Sequence, residues 1–312
     1  MKATLRADLH VHTRASRVCG TLKFLGSRDC YSAPEDVYRV AKARGMDLVA
    51  VTDHDVIDGA LELAAAHPED VIVGEEVSCW LADGRLEVHL GVYGMTERLH
   101  REIQPLRGNA IEVMAALREA KVFFALNHLF HFYRGQMPLD AYLEVLDNVP
   151  ALEARNGTML AEHNLLAEAL AMRTPSGRRL GIVGGSDAHT LRRIGRTWTE
   201  APGSNREEFL ASLHAGLGRP QGEHGVASTV YGDAYGVVGR YVASLFGFGP
   251  QDHRGLRRIG CIAFSAISLP GQFLPAAITV RRKVDEARAV RQAKRALGSD
   301  FAAAAPSAVV SR

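Results

Sequence analysis

Over the first 215 residues, short apolar, β-branched runs alternate with stretches whose apolar positions recur at helical spacing. The runs predict strands over Thr4–His12, Leu48–Thr52, Val71–Ser78, Leu86–Tyr93, Val122–Asn127, Ala151–Arg155 and Gly181–Gly185. Helical patterns fall between them, over Pro34–Arg44, Ile57–Ala66, Thr96–Ala120, Pro138–Leu146 and Leu160–Met172. Pro34 followed by Glu35 and Asp36 makes a good helix start, with acids at the positive end of the dipole, and Gly45 supplies the stop. Strand–helix alternation implies an α/β fold with a mostly parallel sheet, and seven strands favour closure into a barrel. No repeat of fixed period is visible.

From about Gly216 the pattern changes. Glycines thicken (Gly216, Gly218, Gly222, Gly225) and the strand rhythm stops. The expected organisation is therefore a barrel over 1–215, a mainly helical region over 216–300 that ends in Val284–Leu297, and a disordered small-residue tail over 301–312. The segment Gly195–Thr199 and the helix Asn205–Leu213 read as the end of the barrel domain.

Composition adds bounds. With 47% hydrophobic and 23% charged residues, the 312-residue chain has material for a large core, and disorder is not the default. Cys19, Cys30, Cys79 and Cys261 form no C-x-x-C pair, and Arg6, Asp8 and His10 interrupt any leader-like apolar run. Both features point to a reducing, cytoplasmic setting. Residues 251–312 hold 11 Lys/Arg against 4 Asp/Glu, whereas the first 250 hold 26 against 31. The bulk of the protein is thus slightly acidic, which argues against a nucleic-acid-coating class and shows no dedicated nucleic-acid-binding module. Ile259–Val280 is 22 residues without a charge between Arg257, Arg258 and Arg281, Arg282, Lys283. That length meets the criterion for a membrane span, but Pro270, Gly271, Gln272 and Pro275 interrupt it. Helices packed on the barrel or on a second copy are the favoured reading, with a weak peripheral membrane contact through 259–283 next.

The candidate chemistry lies at strand ends. In Asp8-Leu9-His10-Val11-His12-Thr13, strand alternation points both imidazoles the same way, a natural metal grip. Gly184-Gly185-Ser186-Asp187-Ala188-His189 repeats that spacing with a carboxylate and an imidazole. Thr52-Asp53-His54-Asp55, Gly74-Glu75-Glu76, His89 within Glu87–Gly91, Asn127-His128 and Glu153 complete the set. One histidine in an apolar strand is ordinarily a hydrogen-bonded core residue. Six at the ends of strands that a barrel gathers on one rim are a cluster, and mixed imidazole and carboxylate donors suit Zn, Mn or Fe. The other seven histidines read as surface or structural, His131 being the likeliest exception.

These residues resemble the polymerase and histidinol phosphatase (PHP) family of metal-dependent phosphoesterases. The likeness rests on DLHVHT (8–13), AVTDHD (50–55), GEE (74–76), EVHLGVYG (87–94), NHL (127–129), LEARN (152–156) and GGSDAH (184–189), in the family's order. It implies a distorted (β/α)7 barrel with a C-terminal, mainly helical extension, holding two or three divalent ions at the strand C-termini. By the same resemblance His10, His12, Glu76 and Asp187 surround one ion, His89 and His128 a second, and His54 and His189 a third. Glu76 is preferred to Glu75 because the family pattern is Gly, any residue, Glu. The family's acid after H-x-H is missing among Arg14–Arg17; counting back from Pro34 gives Asp29, after an insertion of about a dozen residues carrying Arg14, Arg17, Lys23 and Arg28. Glu153 and Asn156 resemble supporting or substrate-contacting residues.

The resulting expectation is a phosphoester hydrolase in which a metal-bridging hydroxide attacks phosphorus. Arg155, Arg193 and Arg17 are candidates to clamp the phosphoryl group, and Asp53 to orient an imidazole. A small phosphomonoester (a nucleotide, sugar or histidinol phosphate) is the leading substrate. A phosphodiesterase or exonuclease on short nucleic acids, or a non-catalytic metal-binding module, are the alternatives, and a homo-oligomer is left open.

Overall fold

In the computed structural model, residues 3–16, 27–81, 83–84, 86–129, 139–250, 252–267 and 273–298 are described. The predicted apolar runs form strands β1 (Thr4–Asp8), β2 (Leu48–Val51), β3 (Val71–Trp80), β4 (Glu87–Tyr93), β5 (Phe123–Leu126), β6 (Ala151–Asn156) and β7 (Gly181–Gly185). Two more, β8 (Thr197–Pro202) and β9 (Arg219–Gly222), join them in one sheet ordered β7-β6-β5-β4-β3-β2-β1-β8-β9. Most neighbours among the first seven are parallel, but β4 runs antiparallel to both β3 and β5.

The sheet curls until its far strand returns to β1. Val11, beyond the end of β1, makes a parallel bridge with Ala188, beyond the end of β7. His12 N–H donates to the Ala188 carbonyl (3.1 Å) and Ala188 N–H to that of His10 (3.2 Å). Gly185 permits this approach: a Cβ there would lie 2.4 Å from His10 Cβ. The result is a nearly closed α/β barrel with a helical C-terminal portion.

Helices α1 (Pro34–Ala43), α2 (Asp58–Ala66), α5 (Leu139–Asn148) and α6 (Ala161–Met172) follow β1, β2, β5 and β6, and both α3 (Glu97–Ile103) and α4 (Ala110–Glu119) lie between β4 and β5. The stretch 96–120, predicted as one helix, is two helices. Pro105 lies in a 3-10 turn over Gln104–Leu106, and Asn109 then caps α4, its side chain accepting from Ile111 N–H (3.1 Å). Helix α7 (Arg206–His214) sends Phe209 and Leu213 into a cluster with Ala7, Leu48, Ile72, Phe123, Ala151 and Val183, which makes the barrel floor apolar.

Strands β8 and β9 escaped the hydrophobic pattern for a physical reason. The inward positions of β8 begin with Thr197 and Thr199, both fully buried, whose hydroxyls donate to the carbonyls of Glu223 and Gly184 (both 2.8 Å). The alternation is present but written in threonine. Strand β9 is the tetrapeptide RPQG, and its pairing with β8 carries the sheet past Gly216.

Helices α8 (Ala227–Leu245), α9 (Gly255–Ile267) and α10 (Phe273–Leu297) follow. Ala289, Val290 and Ala293 of α10 are buried in the main core beside Leu166 and Leu170 of α6. The charge-free run 259–280 is therefore divided between α9 and α10, and no described helix is long and apolar enough to cross a membrane.

Candidate metal centre

Because parallel strands present their C-terminal ends to one rim, residues just beyond β1, β2, β5 and β7 meet there. Strand β4 runs the other way, so its contribution comes from its beginning: His89 is its third residue, opposite Ser78 in the register with β3. At the centre is Glu76 of β3, wholly buried. Its Oε2 lies 3.2 Å from His10 Nε2, 3.4 Å from His12 Nε2 and 3.2 Å from His54 Nδ1. Its Oε1 lies 3.2 Å from His89 Nδ1 and 2.9 Å from His128 Nε2, and accepts from Asn127 Nδ2 (3.0 Å). Five imidazoles thus surround one carboxylate.

A second carboxylate, Asp187, places Oδ1 3.6 Å from Nε2 of both His10 and His12, and 3.5 Å from His189 Nδ1. Asp29 completes the outer side, with Oδ2 3.5 Å from Nε2 of both His54 and His189. All nine residues expected as ligands are therefore brought together. Their donor atoms fall into overlapping sets: His12, Asp29, His54 and His189; His10, His12 and Glu76; His10, His128 and Asp187; His54, Glu76 and His89. The division differs in detail from the family-based one, since His12 belongs both to the deep set and to the set at the mouth.

The residue set fits divalent cations on its own chemistry. His10 Nε2, both nitrogens of His12, His54 Nδ1, Glu76 Oε2 and Asp29 Oδ1 are buried and make no hydrogen bond. Such orphaned polar atoms are costly unless something further binds them. Burial alone would raise the Glu76 and Asp187 carboxyls, yet the surrounding imidazoles hold both well below the usual range. Burial would lower His10, but Glu76, Glu153 and Asp187 push it well above its ordinary value. For His54 burial prevails, and its pKa falls to about 3. Ionised carboxylates that demand positive charge, next to an imidazole kept neutral, are what a cation-binding site requires.

A supporting layer fixes these donors. Glu153 Oε1 lies 2.8 Å from His10 Nδ1, while its Oε2 accepts from His128 N–H (3.0 Å) and Asn156 Nδ2 (2.9 Å). Thr158 Oγ1 donates to Asp187 Oδ2 (2.9 Å), and Ser16 Oγ to Asp29 Oδ2 (3.1 Å). Asp8 accepts from the N–H groups of Ser186 (2.8 Å) and Gly195 (2.7 Å), tying β1 to the loop that carries Asp187. His128 (φ 25°) and Asp187 (φ 52°) both take left-handed backbone conformations, unusual for non-glycine residues and typical of over-determined functional sites. Thr158 and Ser16 had no sequence signal, and Asp8 stood in the DLHVHT motif without an assigned role.

The remaining candidates make contacts of their own. Asp53 orients no imidazole; its carboxylate accepts from Thr13 N–H (2.5 Å) and Thr13 Oγ1 (2.6 Å), and burial pushes its pKa to about 7. Asp53 pins the turn after H-x-H, and Glu153 does the orienting. Arg155 Nη1 donates to the Gly222 carbonyl (3.1 Å), on the β9 side. Arg193 is buried, with Nη2 on the Gly157 carbonyl (2.6 Å), Nη1 on Glu223 (3.2 Å) and Nε 3.6 Å from Asp233. Two of its guanidinium nitrogens thus donate to protein groups, and Nε, buried, makes no hydrogen bond. Arg17 and His131 lie outside the described residues.

With this geometry in place, one comparison agrees with the resemblance: residues 161–217, from α6 through α7, match the PHP-associated family, PHP_C. That match supports the PHP domain family for this chain. An uncharacterized protein of Methanocaldococcus jannaschii is 36% identical over 76 residues, 23% of this chain and 44% of that protein, so the chain spans less than half of this curated relative. Three solved structures are similar in part to this chain. A two-domain Bacteroides vulgatus protein containing a predicted PHP-like metal-dependent phosphoesterase is 16% identical (71% of this chain, 66% of that one, TM-score 0.49). PsfC from Pseudomonas syringae is 21% identical (70% and 91%, TM-score 0.47). The lesion-specific endonuclease PfuEndoQ from Pyrococcus furiosus is 17% identical (70% and 57%, TM-score 0.45). What those names say stays with those proteins.

Proposed function

We propose that this chain is a PHP-type, metal-dependent phosphoester hydrolase acting on a small phosphomonoester. The observation that carries the reading is Glu76, a fully buried carboxylate with five imidazoles within 3.4 Å. A stability role alone does not explain so many buried ionisable groups, whose mutual desolvation is unfavourable without a bound cation. His10, His12, Glu76 and Asp187, with His54, His89, His128, Asp29 and His189, would hold two or three divalent ions. Bound ions of this kind supply Lewis acidity toward phosphoryl oxygens and make water a nucleophile near neutral pH.

The chain's own residues set up that chemistry. Glu153 fixes the ring of His10 and the backbone of His128, so two donors share one orienting carboxylate. Asn156 and Thr158 keep Asp187 aimed at the histidines. The deep side, formed by His10, His12 and Glu76, is closed to solvent, whereas His189 is a quarter exposed and Asp29 partly so. Substrate therefore has its approach from the Asp29–His189 side. The slightly acidic first 250 residues favour a compact substrate over a long polyanion, which needs a basic track.

The test is phosphate release by full-length protein, with Mn or Zn, across nucleotides, sugar phosphates, histidinol phosphate and matched diesters. At least one monoester is expected to be cleaved, with activity lost on chelation and in His10→Ala. Cleavage of diesters alone would move the assignment to a nuclease. Stoichiometric metal without hydrolysis of any ester would make this a binding module.

A further inference from the structure

Of the four donors at the mouth, Asp29 and His189 are held from the C-terminal helices as well as from the barrel. Asp29 is flanked by Arg28 and, two residues on, by Tyr31, and both reach that region. Arg28 gives Asp252 a two-point pair, Nε at 2.6 Å and Nη2 at 2.5 Å, across 224 positions of chain. The same guanidinium donates through Nη1 to the carbonyl of Arg14, two residues beyond His12. Tyr31 packs on the buried cluster of Tyr241, Leu245 and Cys261 formed by α8 and α9, and its hydroxyl accepts from Arg28 N–H (3.1 Å). Asp252 is seated by its neighbour His253, which is buried with its ring 6.3 Å from that of Tyr241. His189 is reached through the residue after it: Thr190 Oγ1 donates to Asp233 of α8 (2.8 Å).

On the barrel side the loop is tied by Ser16 Oγ to Asp29 and by the Cys30 thiol to the His12 carbonyl (3.2 Å). Those donors are neutral and make single contacts, whereas the bidentate Arg28–Asp252 pair is charge-assisted and fixes direction as well as distance. Asp29 is also the one carboxylate in the set His12, Asp29, His54 and His189. If it is misplaced, an ion at the mouth keeps imidazoles alone, so its affinity follows the pose of this loop. The deep set differs, because Glu76 stands on β3 itself. We propose that the C-terminal helices, through Asp252, the cluster under Tyr31 and Asp233, set the affinity of the ion at the mouth, with Asp252 a positioning residue for Asp29. This rests on the metal-centre reading above.

Metal titration of the full-length chain tests this, with Mn or Zn added to chelator-stripped protein and the ions bound per chain counted. Asp252→Ala is expected to weaken the weakest binding step by about tenfold and to leave the tighter steps unchanged. Asp252→Glu, which keeps the charge, should recover part of that loss. In the metal-free protein the backbone amides of residues 28–32 should exchange with deuterium faster in Asp252→Ala, while those of β2 and β5 keep their protection. Glu102→Ala, which breaks an exposed pair with Arg98 (3.2 Å) on α3, should move neither readout. An unchanged weakest step, or unchanged exchange, would overturn the proposal. Equal weakening of every step with a lower thermal midpoint would overturn it too, as general destabilisation. A parent chain that binds no metal would sink the metal centre and this inference with it, whereas a loss confined to the latch leaves the parent's metal binding intact.

Discussion

Glu153 shows how much of a metal site resides in residues that need touch no ion. It is buried, lies 2.8 Å from His10 Nδ1, and accepts from the His128 backbone. Glu153→Gln keeps the shape and removes the charge that fixes the His10 tautomer. Metal affinity is expected to fall about 10–100-fold with the fold intact, read by titration with Mn or Zn against circular dichroism. An unchanged affinity would place His10 outside the coordination set. Asp29→Asn probes the mouth: the variant should bind fewer ions per chain than the parent by elemental analysis, while His10, His12 and Glu76 keep the deep position. At this scale the sequence pointed to the histidines and carboxylates that gather at the rim and to two residues beside them, Glu153 and Asn156, but not to Thr158 or Ser16. Histidines at strand ends announce themselves because that residue type is scarce in apolar strands. An arginine near a motif carries no such information: Arg193 was eligible by position, and two of its guanidinium nitrogens donate to Gly157 and Glu223.

Among the elements, closure of the sheet is the step that assembles the donors, and it passes through Gly185. The backbones of β7 and the β1 extension come so close that a Cβ at 185 would meet His10 Cβ at 2.4 Å and His10 N at 2.5 Å. Gly185→Ala must push His10 away or open the seam. A cost of about 1–3 kcal/mol is expected from overpacking, seen as a lower denaturation midpoint, together with a loss of bound metal out of proportion to the loss of stability. The same substitution at Gly45, where a Cβ would meet nothing within 4 Å but φ is +80°, should cost stability without touching metal. Strand existence was legible wherever the buried face is apolar, as in β2 and β5. It failed for β8, whose buried face begins with two threonines, and for β9, which has no apolar face to read. The break between α3 and α4 was in plain view as Pro105 and was outweighed by the longer periodic pattern.

For the molecule as a whole, the question is whether the C-terminal helices merely cover the barrel or also hold the site. Lys283 and Glu286 of α10 form a pair at 2.6 Å, largely buried, with side-chain exposures of 14% and 4%. Glu286 Oε1 accepts from Leu160 N–H (2.8 Å), the residue that opens α6, and Lys283 Nζ donates to the Thr158 carbonyl (2.6 Å). Thr158 in turn donates to Asp187. A continuous run of contacts thus leads from α10 to a candidate ligand. Glu286→Gln leaves the Lys283 ammonium without its counter-charge in a mostly dry setting. Breaking one side of such a pair costs about 3–5 kcal/mol, so the midpoint of thermal unfolding should fall by several degrees. The double variant Lys283→Met/Glu286→Leu removes both charges and should recover most of that loss, because paired burial contributes little net stability. It does not restore the bond to the Thr158 carbonyl. If α10 only covers the barrel, the double variant will bind metal as the parent does. If it holds the loop that steadies Asp187, metal affinity will stay reduced after stability has returned, and that separation of the two readouts is the expected result.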